Sequence, residues 1–271
     1  MSKESQKQLI ENSRKLIKFD YPEDHEPSDQ QKRLPQPPLV KEPSSSEIIK
    51  LPRDFQNLKL NNDIVNVIYS RESHRVYTEE KVDLSILSFL LWATQGIKSI
   101  RGKKYATLRT VPSGGARHPF ETYLVIRKVE GLKPGKYHYL PMTHELEYLG
   151  DQAKIEEATG IALLDQRWAV SANVIFFWSI IPYRGEWRYA EAAHRIMLVD
   201  IGHVCQNLYI ASEAAGLGTC AIGAFDREKC DQLFDLDGEE EFTILAAPVG
   251  TISTKDKDQE QAFYAFLKDE D

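Results

Sequence analysis

A nearly continuous apolar run at residues 173–181, NVIFFWSII, sets the strongest limit on how this chain can fold. Its length fits a strand, and an apolar run without polar alternation is typical of a strand buried on both faces of a sheet. Pro182 follows directly and is expected to end the strand, because proline lacks the backbone N–H that a strand donates to its neighbour. The run therefore predicts a central strand.

The longest predicted helix follows at residues 191–215. Apolar residues occupy so much of its circumference that we expect it to be buried in a large core or in an oligomer interface. His194, His203 and Asn207 do not follow the spacing of a zinc-binding HExxH motif, so we interpret them as polar groups of that core or interface. The three cysteines form no CxxC pair, which argues against a zinc site and against disulfides, and fits a reducing cytoplasm.

Shorter patterns predict the remaining elements. Helices are expected at residues 3–18, 61–69, 83–94, 151–159 and 226–234, and strands at residues 123–127, 136–140, 145–149 and 242–249. Asp83 and Asp226 are expected to cap two of these helices, because an aspartate side chain accepts hydrogen bonds from first-turn N–H groups. Residues 183–189, YRGEWRY, are interpreted as a loop, either an ordinary connection or a wall of a substrate site.

Composition divides the chain near residue 52. Residues 1–52 form a proline-rich N-terminal segment with seven of the 13 prolines, of which residues 20–52 are expected to run extended over the domain or across to a partner chain, with a flexible tail as the alternative. Residues 53–271 are expected to form the globular domain.

The net charge of -7 argues against nucleic-acid or anionic-membrane partners. No apolar run reaches the ~20 residues that a bilayer requires, and the polar N-terminus lacks the apolar core of a secretory signal, so a cytoplasmic protein is expected.

The first candidate binding motif is Arg71-x-Ser73-x-Arg75. Two guanidinium groups with a hydroxyl between them can surround a phosphate with charge-assisted hydrogen bonds. Solvated arginines at a helix end would give the same pattern, so the motif alone leaves both interpretations open.

The second candidate motif is the turn at residues 112–115, PSGG, which leads into a predicted strand. Its two glycines would let a ligand approach the main chain closely. Arg109, Arg117 and His118 surround the turn with positive or proton-carrying groups, which suggests a flat, anionic cofactor. A tight surface turn before a core strand is the alternative.

The third candidate motif consists of small residues after the long helix, GLG at 216–218 and AIGAF at 221–225. Together and in this order, the three motifs resemble the FMN-dependent nitroreductase superfamily, and within it the SagB-type dehydrogenase branch. The segments LSFLLWATQG, PGKYHY and GHVCQNLYIASEAAGLG strengthen the resemblance, which covers about residues 51–251.

The resemblance implies an α+β fold, with a mixed, mainly antiparallel sheet flanked by helices, and an intertwined homodimer with two FMN sites at its interface. It implies that the FMN phosphate is bound by Arg71, Ser73 and Arg75. It implies that the flavin of the other subunit is contacted by Pro112, Ser113 and Gly114. It also implies that the isoalloxazine ring lies along Ala221, Ile222, Gly223 and Ala224. Arg117 and His118 are then expected to shape the pocket or the interface and not to bind the phosphate.

Two positions depart from the family pattern. Lys255 is a phosphate candidate in a region where family members often carry a basic pair. Tyr183 is the candidate catalytic residue, at a position where peptide-tailoring members carry a Lys-Tyr pair. Here Pro182 stands in place of that lysine, which weighs against oxidation of thiazoline or oxazoline rings.

The leading hypothesis is a dimeric FMN oxidoreductase that NAD(P)H reduces and that a small electrophilic or conjugated substrate reoxidises. One alternative is a SagB-type dehydrogenase that oxidises azoline rings in a modified peptide. The other is a flavin-binding protein without turnover.

Overall fold

The fold is built on a seven-stranded sheet in a computed structural model that describes residues 3–18, 26–151, 154–253 and 262. The strands of this sheet are β1 (Ile48–Lys50), β4 (Phe120–Ile126), β5 (Gly135–Leu140), β6 (Glu145–Gly150), β7 (Val174–Ile180), β8 (Leu217–Thr219) and β9 (Phe242–Thr251). Their order is β1-β6-β5-β4-β7-β9-β8, and neighbours run antiparallel. β2 (Ile97–Arg101) and β3 (Ala106–Arg109) form a separate antiparallel pair. An isolated parallel bridge joins Val82 to Val129.

Helices flank the sheet and complete the predicted α+β architecture. They are α1 (Lys3–Ile17), α2 (Ile64–Ser70), α3 (Leu84–Gln95), α4 (Ile155–Ala162), α5 (Arg167–Val170), α6 (Tyr183–Tyr189), α7 (Ala192–Ala214) and α8 (Arg227–Leu233), with 3-10 turns at Phe55–Asn57 and Gly114–Ala116. The expected caps are confirmed: Asp83 accepts from the N–H of Ser85 at 2.6 Å, and Asp226 accepts from the N–H of Lys229 at 3.2 Å.

The predicted central strand is confirmed as β7, which lies between β4 and β9 with all its residues buried. Its alternate side chains enter two different cores. Phe176 and Trp178 pack in the larger core, which includes residues of α3 and α7. Ile175 and Phe177 pack in a second core with residues of α4 and α8. The apolar run thus lacks polar alternation because both faces of this strand are covered.

The interpretation of residues 183–189 as a loop was wrong, because they form α6. Pro182 ends the strand as expected, but its backbone angles (φ -56, ψ -39) are helical and it begins the new helix. Proline is well suited to a helix start, where its missing N–H would have had no intrahelical partner. α4 also differs from the expectation, since it starts at Ile155 and continues past Gly160.

The N-terminal segment lies on the domain as an irregular strap, which we define as residues 28–47. Near its start, Gln30 N–H donates to the carbonyl of Trp187 at 2.7 Å, and Trp187 Nε1 donates to the carbonyl of Leu34 at 3.1 Å. At its end the chain becomes β1 and pairs with β6. The expected domain boundary after residue 52 falls just beyond this strand.

Two buried glutamates of the sheet hold the middle of the strap. The backbone N–H of Lys41 donates to Glu121 Oε1 at 3.1 Å. The N–H groups of Ser44 and Ser45 donate to Glu147 Oε2 at 2.7 and 2.8 Å. These three bonds therefore recognise the backbone of the strap and not its side chains.

His138 lies between the same two glutamates and is itself buried. Its Nδ1 is 2.7 Å from Glu147 Oε1, and its Nε2 is 3.2 Å from Glu121 Oε2. Burial lowers the pKa of His138, but the hydrogen bonds to the two carboxylates outweigh burial, and the net shift is upward. Burial would raise the pKa of Glu121, but the buried guanidinium of Arg184, 2.5 Å away, and His138 lower it overall.

Within the described ranges, no helix combines the length and the apolar character that a membrane crossing needs.

Candidate functional site

The Arg71–Arg75 motif lies against strand β8. Arg71 ends α2, and the backbone N–H of His74 donates to the carbonyl of Thr219 at 3.0 Å. This approach requires Gly218, because a Cβ at that position would lie 2.6 Å from the Cβ of His74. The fold therefore brings the first motif next to the small residues that follow α7.

Tyr209 of α7 joins these two motifs directly. Its hydroxyl accepts from the backbone N–H of Ala221 at 2.8 Å and lies 3.0 Å from Ser73 Oγ. The guanidinium carbon of Arg71 lies 5.4 Å from the centre of the Tyr209 ring, within the range of a cation–π contact. Burial raises the pKa of Tyr209, so the hydroxyl stays protonated and can donate towards Ser73.

Arg75, at the other end of the motif, contacts a tryptophan of α5. It is half-buried, and its guanidinium carbon lies 5.5 Å from the centre of the Trp168 ring. Arg71, Ser73, Arg75 and Tyr209 are called the basic cluster below.

Residues 221–224 form an open ledge beside the basic cluster. Ala221, Gly223 and Ala224 are exposed, whereas Ile222 is buried and bridges to Ala246. A Cβ placed on Gly223 would meet no atom within 4 Å. Among the described residues, no hydrogen bond is made by the N–H of Gly223 or Ala224. The ledge therefore presents small side chains and free donors to solvent.

The PSGG turn is held by a single buried carboxylate, that of Asp200 on α7. Ser113 Oγ donates to Asp200 Oδ2 at 2.7 Å, and the N–H of Gly114 donates to the same oxygen at 3.0 Å. Burial raises the pKa of Asp200, against the lowering effect of these two bonds. Gly114 packs so closely on α7 that a Cβ there would collide with Ile196. Pro112 is the exposed residue of the turn.

Helix α7 separates the PSGG turn from the basic cluster. Asp200 and Tyr209 are nine residues apart, which corresponds to about 13 Å along a helix and about 180° around it. The turn and the cluster thus lie against opposite faces of α7. One chain brings Arg71, Ser73 and Arg75 together with residues 221–224, but it does not bring Pro112, Ser113 and Gly114 to them.

The three basic groups around the PSGG turn are buried and serve the fold. Arg109 donates to Gln95 Oε1 at 2.8 Å, and burial lowers its pKa to about 10. Arg117 donates to the carbonyl of Gly115 at 3.0 Å. Burial lowers the pKa of His118 to about 2, so this imidazole is neutral. That Arg117 and His118 shape the pocket or the interface therefore stays a prediction.

Tyr183 is the first residue of α6 and is half-exposed. Its hydroxyl donates to Asp29 Oδ2 at 3.0 Å, and this bond raises the pKa of Tyr183. It lines a cavity of about 440 Å³ between α6, α7 and β9. Lys255 falls outside the described residues. In the described part of the chain, no group of three or more His, Cys, Asp or Glu side chains is arranged to hold a metal ion.

Sequence reasoning missed Tyr209 and Asp200, the two α7 residues that organise the site. Both lie in a helix whose apolar residues suggested burial in a core or in an oligomer interface. A buried aspartate among apolar neighbours was the available signal for Asp200, because such a carboxylate needs donors to offset the cost of burial.

The chain is similar in sequence to known proteins. The sequence model of the nitroreductase family matches residues 68–251. A candidate nitroreductase from Methanocaldococcus jannaschii is 31% identical over 202 residues, which are 74% of this chain and 95% of that protein. The trifolitoxin-processing protein TfxB of Rhizobium leguminosarum bv. trifolii is 26% identical over 216 residues, which are 76% of this chain but only 52% of TfxB.

Solved structures share the fold. A candidate nitroreductase from Ralstonia eutropha JMP134 superposes with a TM-score of 0.62 at 23% identity, covering 82% of this chain and 95% of that one. A chain of the Escherichia coli microcin synthetase complex McbBCD, solved with a truncated precursor peptide, gives a TM-score of 0.57 at 15% identity, covering 91% and 92%.

Proposed function

This chain belongs to the nitroreductase family, and from that premise we propose that it is an FMN-dependent oxidoreductase. In this proposal NAD(P)H reduces the flavin, and a small electrophilic or conjugated substrate reoxidises it. The observation that carries the proposal is the hydroxyl of Tyr209, which holds the basic cluster and the open ledge together in one place.

The residues present fit FMN. Two guanidinium groups and a hydroxyl suit a phosphate, because each can donate a charge-assisted hydrogen bond to it. Beside them, the ledge has no Cβ at Gly223 and no atom within 4 Å of where one would stand, so a flat ring can approach the main chain. Arg71, Ser73 and Arg75 would hold the phosphate, and residues 221–224 would lie along the ring. Lys255 remains a further phosphate candidate.

Bound FMN would supply the redox chemistry, which is hydride transfer between a nicotinamide and the substrate. The chain supplies position and electrostatics. The N–H groups of Gly223 and Ala224 are available to donate to a polar edge of the ring, where a fixed donor tunes hydride transfer. Positive charge from Arg71 and Arg75 favours an anionic ligand at the cluster.

A homodimer would complete the site. The PSGG turn lies on the face of α7 opposite to the basic cluster, so we propose that it serves the site of a partner chain. Asp200 already accepts the Ser113 hydroxyl and the Gly114 N–H within its own chain. The exposed Pro112 is therefore the residue of this turn best placed to pack against a partner's flavin, while Ser113 and Gly114 set its position.

Absorbance spectroscopy of the purified protein tests the proposal. We expect a flavin spectrum after incubation with FMN and gel filtration, bleaching on anaerobic titration with NADPH or NADH, and recovery on addition of a nitroaromatic or quinone. A protein that retains no FMN would refute the proposal. Bleaching without reoxidation by any acceptor of a broad panel would favour the flavin-binding protein without turnover.

A second candidate, azoline oxidation in a modified peptide, is favoured by the similarity to the trifolitoxin-processing protein TfxB. The position of Tyr183 in the wall of a cavity agrees with a role near a substrate. The test is turnover of a thiazoline-containing peptide by the FMN-loaded protein and by Tyr183→Phe. If neither protein oxidises the ring, or if Tyr183→Phe is as active as the parent, the proton-transfer role of Tyr183 is excluded.

A further inference from the structure

The cavity beside Tyr183 has an apolar floor. Its volume is about 440 Å³, and its lining includes Ile180, Met197, Phe242 and Ile244. Ile180 and Met197 are almost completely buried, with 3% of each side chain exposed. A concave apolar surface of this size can remove a small organic ligand from water and gain free energy from burying its carbon atoms.

Carboxylates give the lining of this cavity its negative charge. Glu186, Glu239 and Glu240 line the cavity, together with His194, whose Nε2 lies 2.8 Å from Glu186 Oε1. No lysine or arginine is among the described lining residues. The lining therefore carries net negative charge at pH 7.

A turn held by Asp237 positions the main chain of Glu239 and Glu240. Asp237 Oδ1 accepts hydrogen bonds from the N–H groups of Glu239 at 2.8 Å and Glu240 at 2.7 Å. These bonds lower the pKa of Asp237, together with a third from Glu241, so the turn is held at neutral pH. Glu239 and Glu240 are thus held on one side of the cavity, while Glu186 projects from α6.

We propose that this cavity is a binding site for a small hydrophobic organic cation, such as a protonated primary amine carried on an alkyl or aryl group. The apolar floor would take the hydrocarbon part, and the ammonium group would remain among the three carboxylates. The same charges would reject a hydrophobic anion of equal size, because like charges repel at the mouth of a low-dielectric cavity. This site goes beyond the proposed flavin chemistry and shares no residue with the basic cluster or the ledge.

Calorimetric titration with three ligands of equal chain length tests the proposal: hexylamine, 1-hexanol and hexanoate, each added to the full-length protein as purified at pH 7. Hexylamine is expected to bind at least about threefold more tightly than 1-hexanol. One or two ion pairs at a partly exposed site contribute a difference of this size. Hexanoate is expected to bind more weakly than both. Raising the salt concentration should weaken only the amine, since salt screens the carboxylates.

The double variant E239Q/E240Q should lose most of the preference for hexylamine over 1-hexanol, with the affinity for 1-hexanol unchanged. The matched control is E156Q/E157Q, which removes two adjacent carboxylates from α4, away from this cavity. It should keep the full preference.

Three results would overturn the proposal: no saturable binding of hexylamine below about 10 mM, equal affinity for all three ligands, or a preference for the amine that E239Q/E240Q retains. Since these probes are unreactive and binding is measured by heat, a failure here leaves the flavin proposal untouched. A protein without bound FMN could still show the predicted order.

Discussion

At the scale of single residues, Tyr209 has the central position in the site. One hydroxyl contacts both Ser73 and the backbone of Ala221, and the ring faces Arg71. A tyrosine suits this position because its ring can pack in a helix interface while its hydroxyl reaches polar groups. The site is therefore organised by a residue that need not touch the phosphate itself.

Arg71→Ala should weaken FMN binding by about 1.5–3 kcal/mol, the range for a hydrogen bond to a charged group. Fluorescence titration with FMN would measure the change, because bound flavin fluorescence differs from that of free flavin. Arg101→Ala is the control, since this exposed arginine lies on β2, outside the cluster. Equal affinity of Arg71→Ala and the parent protein would remove Arg71 from the phosphate site.

The sequence predicted the residues of the site whose roles depend on local spacing. Arg71, Ser73 and Arg75 form a motif within five positions, and the fold brings Arg71 and Ser73 to Tyr209, whose hydroxyl contacts the backbone of Ala221. Tyr209 and Asp200 could not be predicted in the same way. Their partners, Ala221 and the PSGG turn, are brought to them only by the packing of the sheet against α7.

At the scale of elements, the ledge offers a test that separates folding from cofactor binding. Gly223→Val should leave the melting temperature unchanged, because a Cβ there meets no atom within 4 Å. It should weaken FMN binding by about 1–3 kcal/mol, the usual cost of overpacking, if a ring lies against the main chain. Thermal unfolding without FMN and titration with FMN measure the two effects. Unchanged FMN affinity would place the ring elsewhere.

The strap is the second element with a measurable contribution. Lys41 Nζ donates to Glu241 Oε2 at 2.5 Å and to the hydroxyl of Tyr123 at 2.9 Å, and 38% of the Lys41 side chain is exposed. Lys41→Ala should therefore lower the free energy of unfolding by about 1–3 kcal/mol, less than for a fully buried pair.

Urea unfolding followed by circular dichroism would measure this loss. Lys50→Ala, at an exposed position of β1, is the matched control and should change stability by less than about 0.5 kcal/mol. Equal midpoints for the two variants would show that the strap adds nothing through Lys41.

Helix α6 shows why some elements could not be predicted. Its sequence contains a glycine and five aromatic or arginine residues in seven positions, and proline precedes it, so local propensity favours a connection. The segment nevertheless forms a helix, in which Arg184 and Trp187 are buried. Arg184 reaches Glu121 in the sheet, and this tertiary contact outweighs the weak local preference.

At the scale of the whole molecule, exposed apolar residues indicate where a second chain would bind. On α2 the exposed fractions are 57% for Ile64, 74% for Val65, 61% for Ile68 and 89% for Tyr69. Such a group on one short helix is typical of an interface. α2 ends at Ser70, directly before Arg71, so the proposed interface would adjoin the basic cluster.

If the proposed homodimer uses α2, Val65→Glu should shift the protein from dimer to monomer, because a carboxylate would be buried in the interface without a partner. Light scattering after gel filtration would measure the mass, and FMN should be lost along with the dimer. Gln232→Glu, with the same charge change at an exposed site on α8, should remain dimeric. A dimer that survives Val65→Glu would exclude α2 from the interface.

The buried network of Glu121, His138 and Glu147 predicts how stability depends on pH. Because the pKa of His138 is raised in the folded state, its contribution is complete below its unfolded pKa of about 6.5 and is lost as pH rises through the folded value. Because the pKa of Glu121 is lowered, its contribution is present above about 4.3 and is lost as pH falls.

Chemical denaturation at several pH values should thus show the largest contribution of this network between about pH 4.3 and 6.5. In His138→Gln, the fall in stability above pH 6.5 should be smaller than in the parent protein. His203→Gln, which alters an exposed histidine, should keep the parental slope. Parallel slopes in all three proteins would show that His138 does not contribute to the pH dependence.

The strap can complete its contacts with the domain only late in the synthesis of the chain. Lys41 leaves the ribosome 200 residues before its partner Glu241. At about 5–20 residues per second, the N-terminal segment waits about 10–40 s before its last anchor exists. Its prolines and charges disfavour strand pairing with other nascent chains during this time. Docking of the strap is therefore expected to be complete only after the chain has been made as far as Glu241.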